Sequence, residues 1–340
     1  MNQLERRYRR VLRLLPAFYR REWEEDMVAT FLLTAQPSDL EEAEFAADYG
    51  RPSWPEVASV LALAVRLRLG GAGAPPRYLT WGETVRRVAL VGLLAHAVMA
   101  LVGAGGLLWS WTRSPGLFGI DSVAWQLAAL LWVPAYLALV AGRRRAARIL
   151  AGLALVPGLV STGSVVTDAG SVYLASALGV LSLDVLPVLA LAAFHRNAPP
   201  VKPRPWLVAL PAGAVLVVAA YLLAQSFGLL VDQPAILCAA VFFAATGYLA
   251  VSALASRPRT ASWPATLALL AVAVLGVRVL TLLDYLRFSV NVEWPDALVI
   301  ACVVEAAAVS AVTVPLGVVA VRVLRDLPAS GRPLQRTPDT

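Results

Sequence analysis

WLVALPAGAVLVVAAYLLAQSFG, residues 206–228, carries no charged side chain over 23 positions. As a helix it rises about 35 Å, enough to cross a hydrocarbon core of about 30 Å. Lys202 and Arg204 stand before it and Asp232 after it. Working outward, the same composition continues from Val85 to Leu327 in apolar runs joined by short polar loops. The whole chain is 59% apolar and 15% charged. A soluble domain has about 45–50% and 25%, so the excess marks spans rather than a large soluble core.

Eight spans are predicted, at 86–108, 122–141, 147–166, 171–194, 206–228, 235–256, 263–286 and 297–323. The third is the weakest, because Pro157, Gly158 and the hydroxyl run at 161–164 interrupt it. The reading is an all-α, polytopic membrane helix bundle of about eight transmembrane helices with a small N-terminal helical cytosolic head. Its divisions are a head and linker at 1–84, a transmembrane bundle at 85–325 and a disordered cytosolic tail at 326–340. Within the first 20 residues the apolar stretch Leu12 to Phe18 is broken by Arg13 and Pro16, too short and polar for a signal-peptide core.

The net charge is +7, with 28 arginines and a single lysine, Lys202. These cations sit in loops beside apolar runs, which points to membrane orientation and away from nucleic acid. Arg143, Arg144, Arg145, Arg148, Arg196, Lys202, Arg204, Arg257, Arg259, Arg322, Arg325, Arg332 and Arg336 fall on one side; only Arg113 and Arg287 fall on the other. Thirteen against two predicts a multi-pass protein of the cell membrane with both termini cytoplasmic. Trp81, Trp206 and Trp263 at inner edges and Trp109, Trp111, Trp125 and Trp294 at outer edges mark the same boundaries.

The head is read as three helices. Leu4, Tyr8, Leu12 and Leu15 line the first among five arginines; Tyr19, Trp23, Met27 and Phe31 line the second, from 17 to 34. Ser53-Trp54-Pro55-Glu56 is a capping box opening the third, with Val57, Val60, Leu61, Ala64 and Val65 as its buried line and Gly70-Gly71 as its stop. Residues 1–80 hold eleven basic and eleven acidic residues, arginines first, which favours pairing between the helices over attraction to anionic lipid. LRLLPAFYRR at 12–21, EDMVATF at 25–31 and the stretch from Ser53 to Gly70 resemble the cytosolic prefix ahead of some bacterial permeases. They also resemble the start of a group of actinobacterial multi-spanning membrane proteins of unknown function. The resemblance covers about residues 1–76 and implies membrane signalling or transport assemblies, with a cytosolic or membrane partner docked through that head. It implies no catalytic residue. The large extracytoplasmic domain of those permeases is missing, so their activity does not carry over.

No cofactor, metal site or catalytic motif is expected. Cys238 and Cys302 form no Cys-x-x-Cys, His96 and His195 no His-Glu-x-x-His, and no P-loop occurs. The two thiols are read as inert and buried. Chemistry is left to polar groups within the spans, where a charge is costly. Arg278 and Glu305 lie at matching depth in antiparallel helices and are expected to pair, as a structural clamp or a coupling site. Asp184, beside Ser182 and one turn before Pro187, is a hydrogen-bonded acid or a cation and proton site. His96 shares a face with Gly92, Ala100 and Gly103 and is read as a packed histidine ahead of a proton relay. Asp121, Asp168, Asp232, Glu293 and Asp296 are assigned to outer loops. Two functions follow: a non-enzymatic accessory or regulatory membrane component, or a small-solute or ion transporter using Asp184 and the Arg278–Glu305 pair.

Overall fold

The structure is a computed structural model that describes residues 3–35, 51–71, 73–113, 120–167, 173–195, 198–227, 232–254, 262–288 and 296–327. The acids at 39–48, Asp168, Glu293, Trp294, Arg196, Arg257, Arg259, Arg332 and Arg336 lie outside those residues. Among the described residues there are twelve α-helices and no strands. Eight helical stretches are long and apolar enough to cross a membrane, so the chain is an all-α multi-pass integral membrane protein whose solvent is a lipid bilayer. Hydrocarbon offers backbone groups no partners, and helices satisfy them internally.

The chain divides into two compact units, the first containing residues 1–83 and the second 84–194 and 199–324. In the first, α1 is Gln3–Leu12, α2 Ala17–Ala35 and α3 Trp54–Arg68. Leu4, Tyr8 and Leu12 of α1 pack with Leu15, with Val28 and Phe31 of α2, and with Val60, Ala64 and Leu67 of α3. Tyr8 stacks on Phe31 with ring centroids 4.0 Å apart. Two expected apolar lines are corrected. Trp23 of α2 is 40% exposed, while Val28 joins the core. On α3 Leu61 and Val65 are exposed and Leu67 is buried instead. Both shifts follow from which side of each helix meets α1; periodicity fixes a stripe's spacing but not its partner.

Arg9 of α1 donates to both carboxylate oxygens of Glu25 at 2.7 and 2.8 Å and to Glu5 at 3.0 Å, with Glu24 at 3.6 Å. Its hydrogen bonds hold the Glu25 carboxyl below the usual range. The capping box of α3 is formed: Ser53 N–H donates to the Glu56 carboxylate at 2.6 Å and Glu56 N–H to Ser53 Oγ at 3.4 Å. Gly70, at φ +79°, ends α3 with Gly71 N–H donating to the Arg66 carbonyl at 2.9 Å. Arg68 donates to the Leu14 carbonyl at 2.9 Å.

The second unit holds the spans. α4 is Pro76–Arg113, whose turns from Thr84 onward belong here; then come α5 Ile120–Ala129, α6 Trp132–Val140, α7 Arg144–Thr167 and α8 Leu174–Ala190 with a 3-10 turn to Ala193. α9 is Pro203–Ser226, α10 Gln233–Leu254, α11 Ser262–Phe288 and α12 Asp296–Asp326. The second span is two helices. Pro134 has no N–H for the Leu130 carbonyl, which accepts from Val133 N–H at 3.0 Å instead, and the helix breaks at Leu130-Leu131. The third, expected to be interrupted, runs unbroken. Its hydroxyls bond back within the helix, Ser164 to the Ser161 carbonyl at 2.8 Å and Thr167 to Ser164 at 3.0 Å.

One core gathers Leu93 and Ala97 of α4, Ala135 and Tyr136 of α6, Ala147 and Ala151 of α7, Leu191 and Phe194, and Leu210 of α9. Alanines at these contacts let the helices approach closely. Cys238, Ala245, Ala271, Val274, Val309 and Leu316 knit α10, α11 and α12 in two further clusters. α11 packs on α8 and joins the two halves, with Gly179 of α8 facing the Val277 backbone. Arg148 of α7 donates to the Phe194 carbonyl at 2.9 Å, a cation at the end of α8. Arg87 lies 4.5 Å over the Trp263 ring. Both cysteines are free and buried.

Candidate functional site

Two polar centres lie within the second unit. The first joins α4 and α8. His96 Nε2 stands 2.8 Å from Asp184 Oδ1, and His96 Nδ1 stands 2.8 Å from the Gly92 carbonyl oxygen of its own helix. A carbonyl oxygen only accepts, so Nδ1 carries a proton and donates it. Nε2 and the carboxylate then need one proton between them: imidazolium with carboxylate, or neutral imidazole with carboxylic acid. In either form the pair is neutral and shares one proton.

The packing around the pair explains its position. A Cβ at Gly92 would come within 2.8 Å of the Pro187 side chain, so the absence of one lets α4 and α8 meet just below His96. A Cβ at Gly158 of α7 would stand 2.7 Å from Asp184 Oδ2. The His96 ring lies against Trp132 of α6, centroids 4.5 Å apart. Pro187 has no N–H for the Leu183 carbonyl, which loosens α8 beside the acid.

Above the pair is a cavity of about 1020 Å³. It runs from His96 and Asp184, near the middle of their helices, to Trp109, Gln225 and Gln233 at helix ends. Gln126 of α5 also lines it, donating to the Ala100 carbonyl at 3.1 Å and filling the space over Gly103. Among the described lining residues the charged or titratable side chains are His96, Asp184 and Tyr221. A volume of this size is that of a small-molecule site.

The second centre binds α11 to α10 and α12. Arg278, 2% exposed, donates from Nη1 to Asp232 Oδ2 at 2.6 Å and meets Glu305 Oε2 through Nη2 at 2.7 Å. The contact to Asp232 is an aligned hydrogen bond; the contact to Glu305 is an ion pair outside hydrogen-bond alignment. Asp232 also caps α10, its Oδ1 accepting from Ala235 N–H at 2.8 Å. The Arg278–Glu305 pair expected from matching depth is therefore present, with a second acid that hydropathy had assigned to a loop. The three residues do not line the cavity, so Asp184 and Arg278–Glu305 form separate centres.

Asp284 of α11 was not singled out from the sequence. It is 2% exposed and accepts from Ser176 N–H at 2.7 Å and Ala175 N–H at 3.3 Å, capping the start of α8 from a neighbouring helix. The available signal is an acid two residues inside the end of an apolar run. Gln126 and Gln233 carried no signal, because a glutamine near a span end is ordinary.

In comparisons with known proteins, no family model, no curated protein and no solved structure matches the chain.

Proposed function

We propose that this membrane protein carries a small solute or ion in exchange with protons, through the cavity that ends at His96 and Asp184. The observation that carries the reading is the 2.8 Å contact between those side chains at the floor of a solute-sized cavity whose largely apolar wall carries a few polar groups. A purely structural pair needs no such space above it. Midplane polar groups beside proline-loosened helices are a usual basis for transport. Arg278, with Asp232 and Glu305, serves as the clamp that holds α10, α11 and α12 together. The excess of cations in one set of loops supports a cell-membrane location with both termini cytoplasmic, so the cavity opens outward.

The test is reconstitution into liposomes with a pH-sensitive dye inside and a panel of solutes outside. Solute-dependent proton movement is expected from the wild type and is lost in Asp184→Asn. Unchanged movement in that variant removes Asp184 from the mechanism.

A second reading is favoured by α3 of the head. Trp54 is 85% exposed, and Leu61 and Val65 continue an exposed apolar row one and two turns apart along the same face. Together with the resemblance to a permease prefix, this supports docking of a cytosolic or membrane partner and an accessory or regulatory role. Purification from native membranes with and without residues 1–76 separates the readings: a partner lost on truncation, with no solute flux from the pure protein, favours docking.

A further inference from the structure

We infer that the ligand exchanged for the shared proton is an organic monocation, held between Asp184 and the aromatic wall of the cavity. The inference rests on the reading of the cavity as a proton-linked solute site and adds the charge and class of the solute. Removing the proton leaves a neutral imidazole, its Nδ1–H still donating to Gly92, with the Nε2 lone pair facing a carboxylate oxygen 2.8 Å away. That arrangement is repulsive and carries one negative charge. Among the described residues lining the cavity there is no arginine or lysine to compensate it. An uncompensated charge at this depth is expensive. Release of the proton is therefore tied to arrival of a cation: the cation enters, the proton between Nε2 and Oδ1 passes to cavity water, and the site stays at zero net charge. An anion finds no basic partner there except a histidine already committed to Asp184.

The surroundings select the kind of cation. Hard metal ions take six or more oxygen ligands in a tight shell, whereas this cavity is about 1020 Å³ and presents one carboxylate. Trp132 and Tyr221 line it beside Trp109, one face of which already carries Arg113 at 4.3 Å from its centroid, and open aromatic faces attract delocalised or quaternary cations. Gln126, Gln225 and Gln233 supply neutral hydrogen-bonding groups for the rest of the molecule. The groups facing the pair add no competing charge: α6 brings Trp132, α7 Gly158, α9 Tyr221 and α11 Val277. α10 brings Gln233, whose neighbour Asp232 is held by Arg278.

The experiment is binding of tetraphenylphosphonium to the purified full-length protein in detergent, between pH 6 and 9. Calorimetry reads affinity and a pH indicator in weak buffer reads proton release. One proton is expected per cation bound, with affinity rising about tenfold per pH unit where the proton is displaced. Asp184→Asn should abolish binding. Because that variant can fail to fold, Tyr221→Ala in the cavity wall provides a second test: weaker binding, with the one-proton stoichiometry kept. Binding without proton release, or equal binding in a folded Asp184→Asn, overturns the inference. No cation binding while neutral solutes still drive proton flux in liposomes overturns the cation class and leaves the transport reading standing. Absence of both overturns the two together.

Discussion

Gly158 faces Asp184 Oδ2 at a distance that leaves no space for a methyl group. In a helix interior, glycine to alanine is worth about 1 kcal/mol in favour of the helix. Gly158→Ala should therefore leave α7 intact while pushing the carboxylate off His96. Loss of one such hydrogen bond corresponds to roughly tenfold in proton-linked flux, read in the liposome assay; unaltered flux would mean that the pair tolerates displacement. Arg278 gives a prediction of the opposite kind. Arg278→Leu strands Asp232 and Glu305 without their cation, and removing one partner of a buried ion cluster costs about 3–5 kcal/mol. Thermal unfolding in detergent should show a large loss, partly restored when Asp232→Asn and Glu305→Gln are added. A single variant as stable as wild type would show the cluster to be solvated instead. At this scale the sequence named His96, Asp184, Arg278 and Glu305 and gave a reason for each, the cost of polar groups in hydrocarbon. It did not pair His96 with Asp184, because 88 residues separate them and depth alone selects no neighbour.

Among the elements, α8 depends on its neighbours for both ends. Asp284 caps its start and Arg148 binds carbonyls at its finish. Asp284→Ala leaves two backbone N–H groups without their acceptor, a cost of about 1–3 kcal/mol, and should raise hydrogen exchange at Ala175 and Ser176 first. Equal exchange would show that water replaces the cap. In the head, α1 and α2 are joined by Arg9 and Glu25. The Glu25 carboxyl is depressed from its ordinary 4.5 by Arg9, so its contribution is complete above about pH 4.5 and is lost as pH falls through the lower folded value. The protection of α1 amides in the full chain, measured against each amide's intrinsic exchange rate at the same pH, should fall on acidification below that point, and Arg9→Ala should flatten the response. A pH-independent profile in the wild type would show the pair to be without effect, the usual fate of exposed ion pairs. The capping box of α3 was legible because its signal is local: four consecutive residues satisfy each other. The buried faces of α2 and α3 were not, since a face is chosen by what it packs against.

For the molecule as a whole, charge asymmetry predicts that a cysteine placed at Arg144 is labelled by an impermeant reagent only after the membrane is opened. Labelling in intact cells would invert the topology and turn the cavity to the cytoplasm. The sequence by itself determined an all-α multi-pass protein with eight apolar stretches and the approximate ends of each, because hydrocarbon requires about 20 apolar residues per helix, and runs of that length satisfy their backbone internally as helices where barrel strands would be half as long. Tertiary structure alone decided that α4 lies against α8 at Gly92 and Pro187, that Asp232 turns inward to Arg278, and that a cavity stands over His96 and Asp184. Packing between helices in lipid is set by small residues and side-chain shape, and those act between surfaces whose juxtaposition no single stretch of chain records.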